Sequence, residues 1–298
     1  MLEKLETEKN NPNTSNLDEL TTYEILKIIN DEDKKVPLAV SKVIEEIDII
    51  VNDCIKSLKN GGRIIYAGAG TSGRIAVVDA VETVPTYGVK PGLFLPLMAG
   101  GKDAFFLALE AVEDDCGSGR EEIRKNNVNS SDMVIGITAS GRTPFVKGIL
   151  DEAKKMGCRT ALICNVEDPL LKDFADTVVS LVSGPEVVTG STRMKAGTAQ
   201  KLALNMISTV TMIKMGKTFK NYMVDVMLLN EKLVLRAVRM ISEITGINEE
   251  KSREYLFNAD KKPKLAILMI LSGKSKEECK KALEKTEVLN QALNILRG

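Results

Sequence analysis

Three short segments of this 298-residue sequence combine glycine with hydroxyl side chains directly before a predicted helix. Residues 68–73 read Gly-Ala-Gly-Thr-Ser-Gly, residues 139–143 read Ala-Ser-Gly-Arg-Thr, and residues 190–198 read Gly-Ser-Thr-Arg-Met-Lys-Ala-Gly-Thr. Glycine lets backbone N–H groups approach a ligand, and a helix N-terminus favours negative charge. One such segment is equally consistent with an ordinary helix cap and with a phosphate site, but three of them favour a phosphate site. The candidate ligands are Gly70, Thr71, Ser72, Gly73, Ser140, Gly141, Arg142, Thr143, Ser191, Thr192 and the two cations Arg193 and Lys195.

The first segment formally matches the Gly-x-Gly-x-x-Gly fingerprint of dinucleotide-binding folds, but its surroundings do not fit. That fold requires an acidic residue about 20 positions later for the ribose hydroxyls, and residues 87–101 contain neither Asp nor Glu. A nucleotide-binding P-loop would require Lys followed by Ser or Thr, whereas Arg74 and Ile75 stand there. We therefore expect a small sugar phosphate as the ligand, with no cofactor.

The sequence contains no histidine, which excludes a Ser-His-Asp or Cys-His nucleophile and any metal site with a histidine ligand. Proton transfer near neutral pH would then fall to carboxylates, lysines, tyrosines or thiols, and carboxylates are the best represented of these. We expect no bound metal.

The 41 basic and 41 acidic residues balance, so no global field attracts nucleic acid or an acidic membrane. No stretch approaches the roughly 18 apolar residues that a membrane span requires, and the charged N-terminus lacks the apolar core of a signal peptide. Five scattered cysteines favour reduced thiols. Together these features predict a cytoplasmic protein that binds neither nucleic acid nor membrane.

Strands and helices alternate through the middle of the chain, which predicts an α/β fold with a parallel doubly wound sheet. Thr21 and Glu24 have the spacing of a capping box at the start of an early helix. From about residue 198 the sequence is helical. The predicted helices are 20–30, 40–58, 75–81, 104–113 and 145–156, and the predicted strands are 63–67, 92–97, 133–137, 160–164 and 177–182.

The three hydroxyl-rich segments also carry a resemblance. Residues 67–74, 139–144 and 184–201, the last reading Gly-Pro-Glu-Val-Val-Thr-Gly-Ser-Thr-Arg-Met-Lys-Ala-Gly-Thr-Ala-Gln-Lys, resemble the bacterial N-acetylmuramic acid 6-phosphate etherases. Those enzymes are members of the sugar isomerase (SIS) superfamily, and the likeness covers nearly the whole chain. It implies an αβα sandwich and a homodimer with its sites near the subunit interface. It also implies a helical arm at 1–45, a sugar-phosphate-binding SIS domain at 46–220, a connecting helix at 221–246 and a small C-terminal helical domain like a ubiquitin-associated fold at 247–298.

The resemblance further implies two catalytic glutamates, Glu82 in an Asp-Ala-Val-Glu segment and Glu113 in a Glu-Ala-Val-Glu-Asp segment. The family cleaves the D-lactyl ether of N-acetylmuramic acid 6-phosphate with water and releases N-acetylglucosamine 6-phosphate and D-lactate. Glu82 would protonate the lactyl oxygen, which requires a raised pKa and hence partial desolvation at its helix end. Glu113 would be the base, either at C2 of the sugar or on the incoming water. This chain has Thr83-Val84-Pro85-Thr86 where the family usually has Cys-Pro-Pro-Thr.

The chemistry suits two carboxylates in opposite protonation states. In the ring-opened sugar the C1 aldehyde makes the C2 proton acidic, so that a base can remove it and the C3 ether can leave by β-elimination. Three other functions remain open at this point: a sugar-phosphate isomerase, a regulatory sugar-phosphate-binding protein, and a sugar-binding domain fused to a DNA-binding head. The isomerase would release no lactate, the regulators are roughly twice as long, and neither N-terminal helix has a basic recognition surface.

Overall fold

The computed structural model describes residues 5–228 and 230–298, and its centre is a parallel β-sheet. Five strands lie in the order β2-β1-β3-β4-β5, and each neighbouring pair is parallel. They are β1 (Ile64–Gly68), β2 (Phe94–Met98), β3 (Met133–Thr138), β4 (Arg159–Cys164) and β5 (Thr177–Ser180). The chain moves outward from β1 to β2 in one direction and from β3 to β5 in the other. Ligands bind such sheets at this switch point, beyond the carboxyl ends of the strands. The predicted α/β fold is confirmed.

The central strands of the sheet, β1 and β3, are buried on both faces. Every residue of β1 and β3 is buried, as expected for parallel strands that are packed on both sides. Ile65, Val134, Phe145 and Ile149 belong to one apolar cluster that joins the sheet to the helix after β3. The parallel pairing of β1 and β3 places Gly68 beside Ile137 at their carboxyl ends.

Residues 5–81 and 91–208 form one compact unit, here called the first unit. Its helices all precede or connect the strands, except α8, which follows β5. They are α1 (Thr22–Asp33), α2 (Lys35–Ser41), α3 (Ile44–Lys59), α4 (Gly70–Tyr87), α5 (Asp103–Phe106), α6 (Cys116–Lys125), α7 (Pro144–Lys155) and α8 (Lys195–Lys214). The last residues of α4 and of α8 lie outside this unit. The predicted capping box at α1 is confirmed, with Thr21 and Glu24 bonded reciprocally.

Residues 82–90, 209–228 and 230–298 form the second unit. It contains a two-stranded antiparallel ribbon, β6 (Thr218–Phe219) and β7 (Tyr222–Met223), and five helices. The helices are α9 (Glu231–Thr245), α10 (Glu249–Asn258), α11 (Pro263–Ser272), α12 (Lys276–Lys285) and α13 (Leu289–Arg297). One apolar core runs through all five, so α9, predicted as a connecting helix, shares its core with the helices that follow it.

The structure overturns the predicted helix at 104–113. Helix α5 ends at Phe106 because the guanidinium of Arg74 donates to the carbonyl oxygens of Ala104, Phe105 and Leu107. The backbone is extended at Leu107, with φ −111° and ψ 146°, and Arg74 satisfies carbonyl oxygens that the end of the helix leaves free. The chain reaches Glu113 through irregular backbone in which Ala111 has a left-handed φ of 63°.

Other predicted boundaries also change. The predicted helix at 40–58 is broken, because Val43 leaves the helical region with φ −123° and ψ 24°, and α3 begins at the next residue. Helix α4 begins five residues before the predicted start at Ile75, within the first hydroxyl-rich segment. Helix α8 begins at Lys195, within the third. Helix α6, which the sequence reading missed, packs against α7.

Candidate active site

A cavity of about 210 Å³ lies in the first unit where β1 and β3 end. All three hydroxyl-rich segments contribute residues to its wall. The lining residues are Glu8, Ala69, Gly70, Thr71, Ser72, Glu113, Ile137, Thr138, Ala139, Ser140, Thr143 and Thr192. Seven of these are predicted site residues: Gly70, Thr71, Ser72, Ser140, Thr143, Thr192 and Glu113. The described wall does not include the other seven predicted site residues, which are Glu82, Gly73, Gly141, Arg142, Ser191, Arg193 and Lys195.

The first segment presents the N-terminus of α4 to the cavity. Gly70 has a φ of 55°, which glycine adopts without strain, and the helix starts there. The first turn of a helix has free N–H groups and a partial positive charge, and the hydroxyls of Thr71 and Ser72 lie beside it. This arrangement suits an anion. Gly73 instead allows close packing, since a Cβ on it would lie 2.7 Å from the carbonyl oxygen of Gly68.

The second segment is organised by its own hydroxyls. The Oγ1 atoms of Thr138 and Thr143 are 2.7 Å apart and share a hydrogen bond, which holds both residues at the cavity wall. Gly141 has a φ of 68°, and a Cβ there would lie 2.5 Å from Pro169, so glycine is required for the turn. Arg142 lies outside the wall, and its Nε is buried without a hydrogen-bond partner among the described residues.

The third segment is held by buried charges. The Glu186 carboxylate accepts hydrogen bonds from the backbone N–H groups of Lys195 and Ala196, each at 2.9 Å, and so caps the start of α8. Burial raises the pKa of Glu186, and these N–H donors oppose the rise. The Lys195 ammonium is fully buried and pairs with Glu32 of α1 at 2.6 Å. Lys195 was predicted as a phosphate ligand, but here its charge is neutralised by Glu32, a partner that no local pattern indicated.

The two predicted catalytic glutamates have different surroundings. Glu113 lines the cavity from a short 3₁₀ turn, Val112–Asp114, and is exposed. Glu82 lies inside α4, in its part that belongs to the second unit, and is also exposed. The expected desolvation of Glu82 at a helix end is therefore not observed in the single chain. Three residues earlier, Asp79 is half-buried, and this burial raises its pKa although Ser208 donates a hydrogen bond to it at 3.1 Å.

Comparison with known proteins decides the family. Residues 45–154 match the model of the glucokinase regulatory protein N-terminal SIS domain, and residues 220–296 match that of the C-terminal lid domain of the same protein. The N-acetylmuramic acid 6-phosphate etherase of Petrotoga mobilis is 65% identical over 298 residues, which is 100% of both chains. This chain belongs to the N-acetylmuramic acid 6-phosphate etherase family. The etherase of Pseudothermotoga lettingae is 53% identical over 99% of this chain and 98% of its own.

Among solved structures, a phosphoheptose isomerase from Francisella tularensis aligns with a TM-score of 0.49 at 17% identity. The alignment covers 64% of this chain and 98% of the isomerase. Within residues 5–228 and 230–298, no helix combines the length and apolar character needed to cross a lipid bilayer.

Proposed function

We propose that this protein cleaves the D-lactyl ether of N-acetylmuramic acid 6-phosphate with water and releases N-acetylglucosamine 6-phosphate and D-lactate. Membership of the etherase family supports this reaction. The structural observation that carries it is the meeting of three hydroxyl-rich segments and Glu113 at one cavity. The cavity thus offers an anion-binding wall and a carboxylate base, which are the two things that a sugar phosphate with an acidic C–H bond requires.

The 6-phosphate would bind at the N-terminus of α4. Thr71 and Ser72 there, with Ser140 and Thr143 of the same wall, supply hydroxyl donors, and the helix supplies N–H groups and a favourable dipole. Lys195 has no place in this binding scheme because its ammonium is paired with Glu32. In this scheme hydroxyl and backbone N–H groups bind the phosphate, because the described cavity wall includes none of the predicted cations Arg142, Arg193 and Lys195.

The reaction follows from the acidity of C2 in the ring-opened sugar. Glu113 takes the C2 proton, the electron pair forms the C2–C3 double bond, and the C3–O bond breaks toward the lactyl oxygen. The family resemblance implies that Glu82, which is not among the described residues of the cavity wall, gives that oxygen a proton. Water then adds its oxygen at C3 and a proton returns to C2, so the net change is hydrolysis of the ether. Neither step requires a metal or a cofactor, and the chain contains no histidine.

We further propose a cytoplasmic homodimer that binds no nucleic acid. The balance of 41 basic and 41 acidic residues supports the last point. Support for self-association comes from exposed apolar side chains on the first unit. Val78 and Val81 of α4 are 53% and 56% exposed and lie one turn apart, and Tyr23 and Leu26 of α1 are exposed as well. Apolar side chains grouped in this way are typical of protein interfaces.

The deciding experiment is incubation of the full chain with N-acetylmuramic acid 6-phosphate in ¹⁸O-labelled water. We expect D-lactate without label and a sugar product labelled at C3, beyond the label that the product alone acquires at C1. Glu82→Gln and Glu113→Gln should each abolish lactate release. Glu110→Gln, an exposed neighbour outside the cavity wall, should not.

Two results would contradict the proposal. Label in the lactate would mean that water attacks the lactyl carbon, which elimination does not allow. Aldose–ketose interconversion without lactate would assign the cavity to a sugar-phosphate isomerase.

A further inference from the structure

The N-terminal segment delivers a carboxylate to the cavity. Leu5 is buried against Cys164 and Val166, the end of β4 and the residues after it. The backbone N–H groups of Glu8 and Lys9 both donate to the carbonyl oxygen of Leu5, at 3.0 and 3.1 Å, so the chain turns sharply there. This turn places Glu8 at the cavity wall.

The segment is held on the other side of Glu8 as well. Asn11 is buried, and its Nδ2 donates to the carbonyl oxygen of Pro185 at 3.3 Å. Its Oδ1 accepts from the backbone N–H of Asn13 at 3.0 Å. With an anchor at Leu5 and another at Asn11, the position of Glu8 is determined by packing and hydrogen bonds to the first unit.

The Glu8 carboxylate lies against the third hydroxyl-rich segment. A Cβ on Gly190 would lie 3.4 Å from Glu8 Oε2, and Thr192, two residues further, lines the same cavity. Among the described residues, no hydrogen bond or ion pair engages this carboxylate. It is an acceptor without a donor in a wall that also contains six hydroxyl side chains, Glu113 and the apolar side chain of Ile137.

An ionised carboxylate only accepts hydrogen bonds, so it would repel a phosphate and attract hydroxyl or amide N–H groups. A sugar phosphate carries both kinds of group at opposite ends. The cavity wall likewise contains both kinds of partner, the hydroxyl donors Thr71 and Ser72 and the carboxylates of Glu8 and Glu113. Under the proposed function Glu113 is the base, which leaves Glu8 for binding.

We propose that Glu8 is a substrate-binding residue whose carboxylate accepts hydrogen bonds from the hydroxyl or acetamido N–H groups of the sugar phosphate. This inference rests on the proposed function for its substrate class. The residue selects for the sugar and against a bare anion, because its negative charge opposes inorganic phosphate in the same cavity. Donors on the sugar compensate for that repulsion, and inorganic phosphate has too few to do so.

The test compares two ligands on the full chain by calorimetry, N-acetylglucosamine 6-phosphate and inorganic phosphate. For Glu8→Gln and Glu8→Ala we expect Kd for the sugar phosphate to rise about tenfold or more, as for a lost hydrogen bond to a charged group. Kd for inorganic phosphate should stay the same or fall, because a repulsive charge is removed. Glu19→Gln, an exposed carboxylate of the same segment, is the matched control and should change neither. Thermal unfolding confirms that each variant is folded.

The inference is wrong if Kd for the sugar phosphate is unchanged in the Glu8 variants. It is also wrong if both ligands bind equally more weakly to these variants, as distortion of the cavity would cause, or if the unchanged chain binds neither ligand. The proposed function is tested separately by lactate release from N-acetylmuramic acid 6-phosphate. If no lactate appears, that function is wrong, while the two Kd values still decide the role of Glu8. If lactate is released, Glu8→Gln should raise KM about tenfold or more and change kcat less.

Discussion

The substitution Glu32→Gln removes the charge that neutralises a fully buried lysine. Glu32 and Lys195 are 3% and 0% exposed, and their charged atoms are 2.6 Å apart. Glu32 also accepts hydrogen bonds from Lys35 at 2.5 Å and from Asn13 at 3.1 Å. The pair joins α1 to the first residue of α8, directly after the segment that supplies Thr192 to the cavity. Its loss should therefore affect both stability and substrate binding.

The size of the effect follows from the pKa of Glu32. Burial by itself raises this pKa, but the hydrogen bonds from Lys195, Lys35 and Asn13 outweigh burial and lower it from 4.5 to about 2. A difference of about 2.5 in pKa corresponds to about 3 kcal/mol of stability at pH 7. Because the folded pKa is the lower one, this stability is present above pH 4.5 and is lost as the pH falls toward 2. About 1 kcal/mol of it remains at pH 3.

At pH 7 we expect Glu32→Gln to lower the free energy of unfolding by about 3–5 kcal/mol, since Lys195 is left buried without a counter-charge. Between pH 7 and pH 3 the difference from the unchanged chain should shrink by about 2 kcal/mol. Urea unfolding followed by circular dichroism measures both values, and the chain has no tryptophan for fluorescence.

Asp31→Asn is the matched control. Asp31 precedes Glu32 on the same helix and pairs with Lys34 at 2.6 Å, but this ion pair is exposed. Its removal should change stability little at either pH. A loss below 1 kcal/mol for Glu32→Gln at pH 7, or an equal loss at pH 7 and pH 3, would refute the reasoning that the buried pair determines the pKa of Glu32.

Three further substitutions or reactions test other parts of the first unit. Burial raises the pKa of Asp79, so the ionised side chain destabilises the folded protein as the pH rises above the pKa of the free carboxyl. Asp79→Asn should therefore raise Tm at pH 7 by about 2 °C or more and at pH 4 by less, and a lower Tm at pH 7 would count against this. Gly73→Ala places a Cβ 2.7 Å from the Gly68 carbonyl oxygen and should lower the free energy of unfolding by about 1–3 kcal/mol, as measured by urea unfolding. An unchanged urea midpoint would mean that the backbone around Gly73 moves to make room for the methyl group. Iodoacetamide at pH 8 should label the partly exposed Cys116 before Cys158, because burial and the charge of Asp132 raise the pKa of Cys158 to about 11. Peptide mass spectrometry gives the order of labelling, and early labelling of Cys158 would show that its surroundings open to solvent.

The strands, the first helix cap and the hydroxyl-rich segments could be predicted from the sequence because each depends on neighbours a few residues away. An apolar β-branched run such as residues 133–137 predicts a buried strand wherever it lies, and the spacing of Thr21 and Glu24 is sufficient for a capping box. Parallel strands end at one edge of the sheet, so the meeting of Thr71 and Ser140 at one cavity also follows from local patterns.

Contacts between residues far apart in the sequence decided the rest. Arg74 ends α5 by binding carbonyl oxygens about 30 residues later, which no helix propensity anticipates. Lys195 looked like a phosphate ligand, but Glu32, 163 residues earlier, neutralises it in the interior. Glu8 reaches the cavity because Leu5 packs at the end of β4 and Asn11 donates to the carbonyl oxygen of Pro185. The sequence by itself determined which groups could bind and react, and the tertiary structure decided which of them face the cavity, because burial and ion pairing depend on the whole fold.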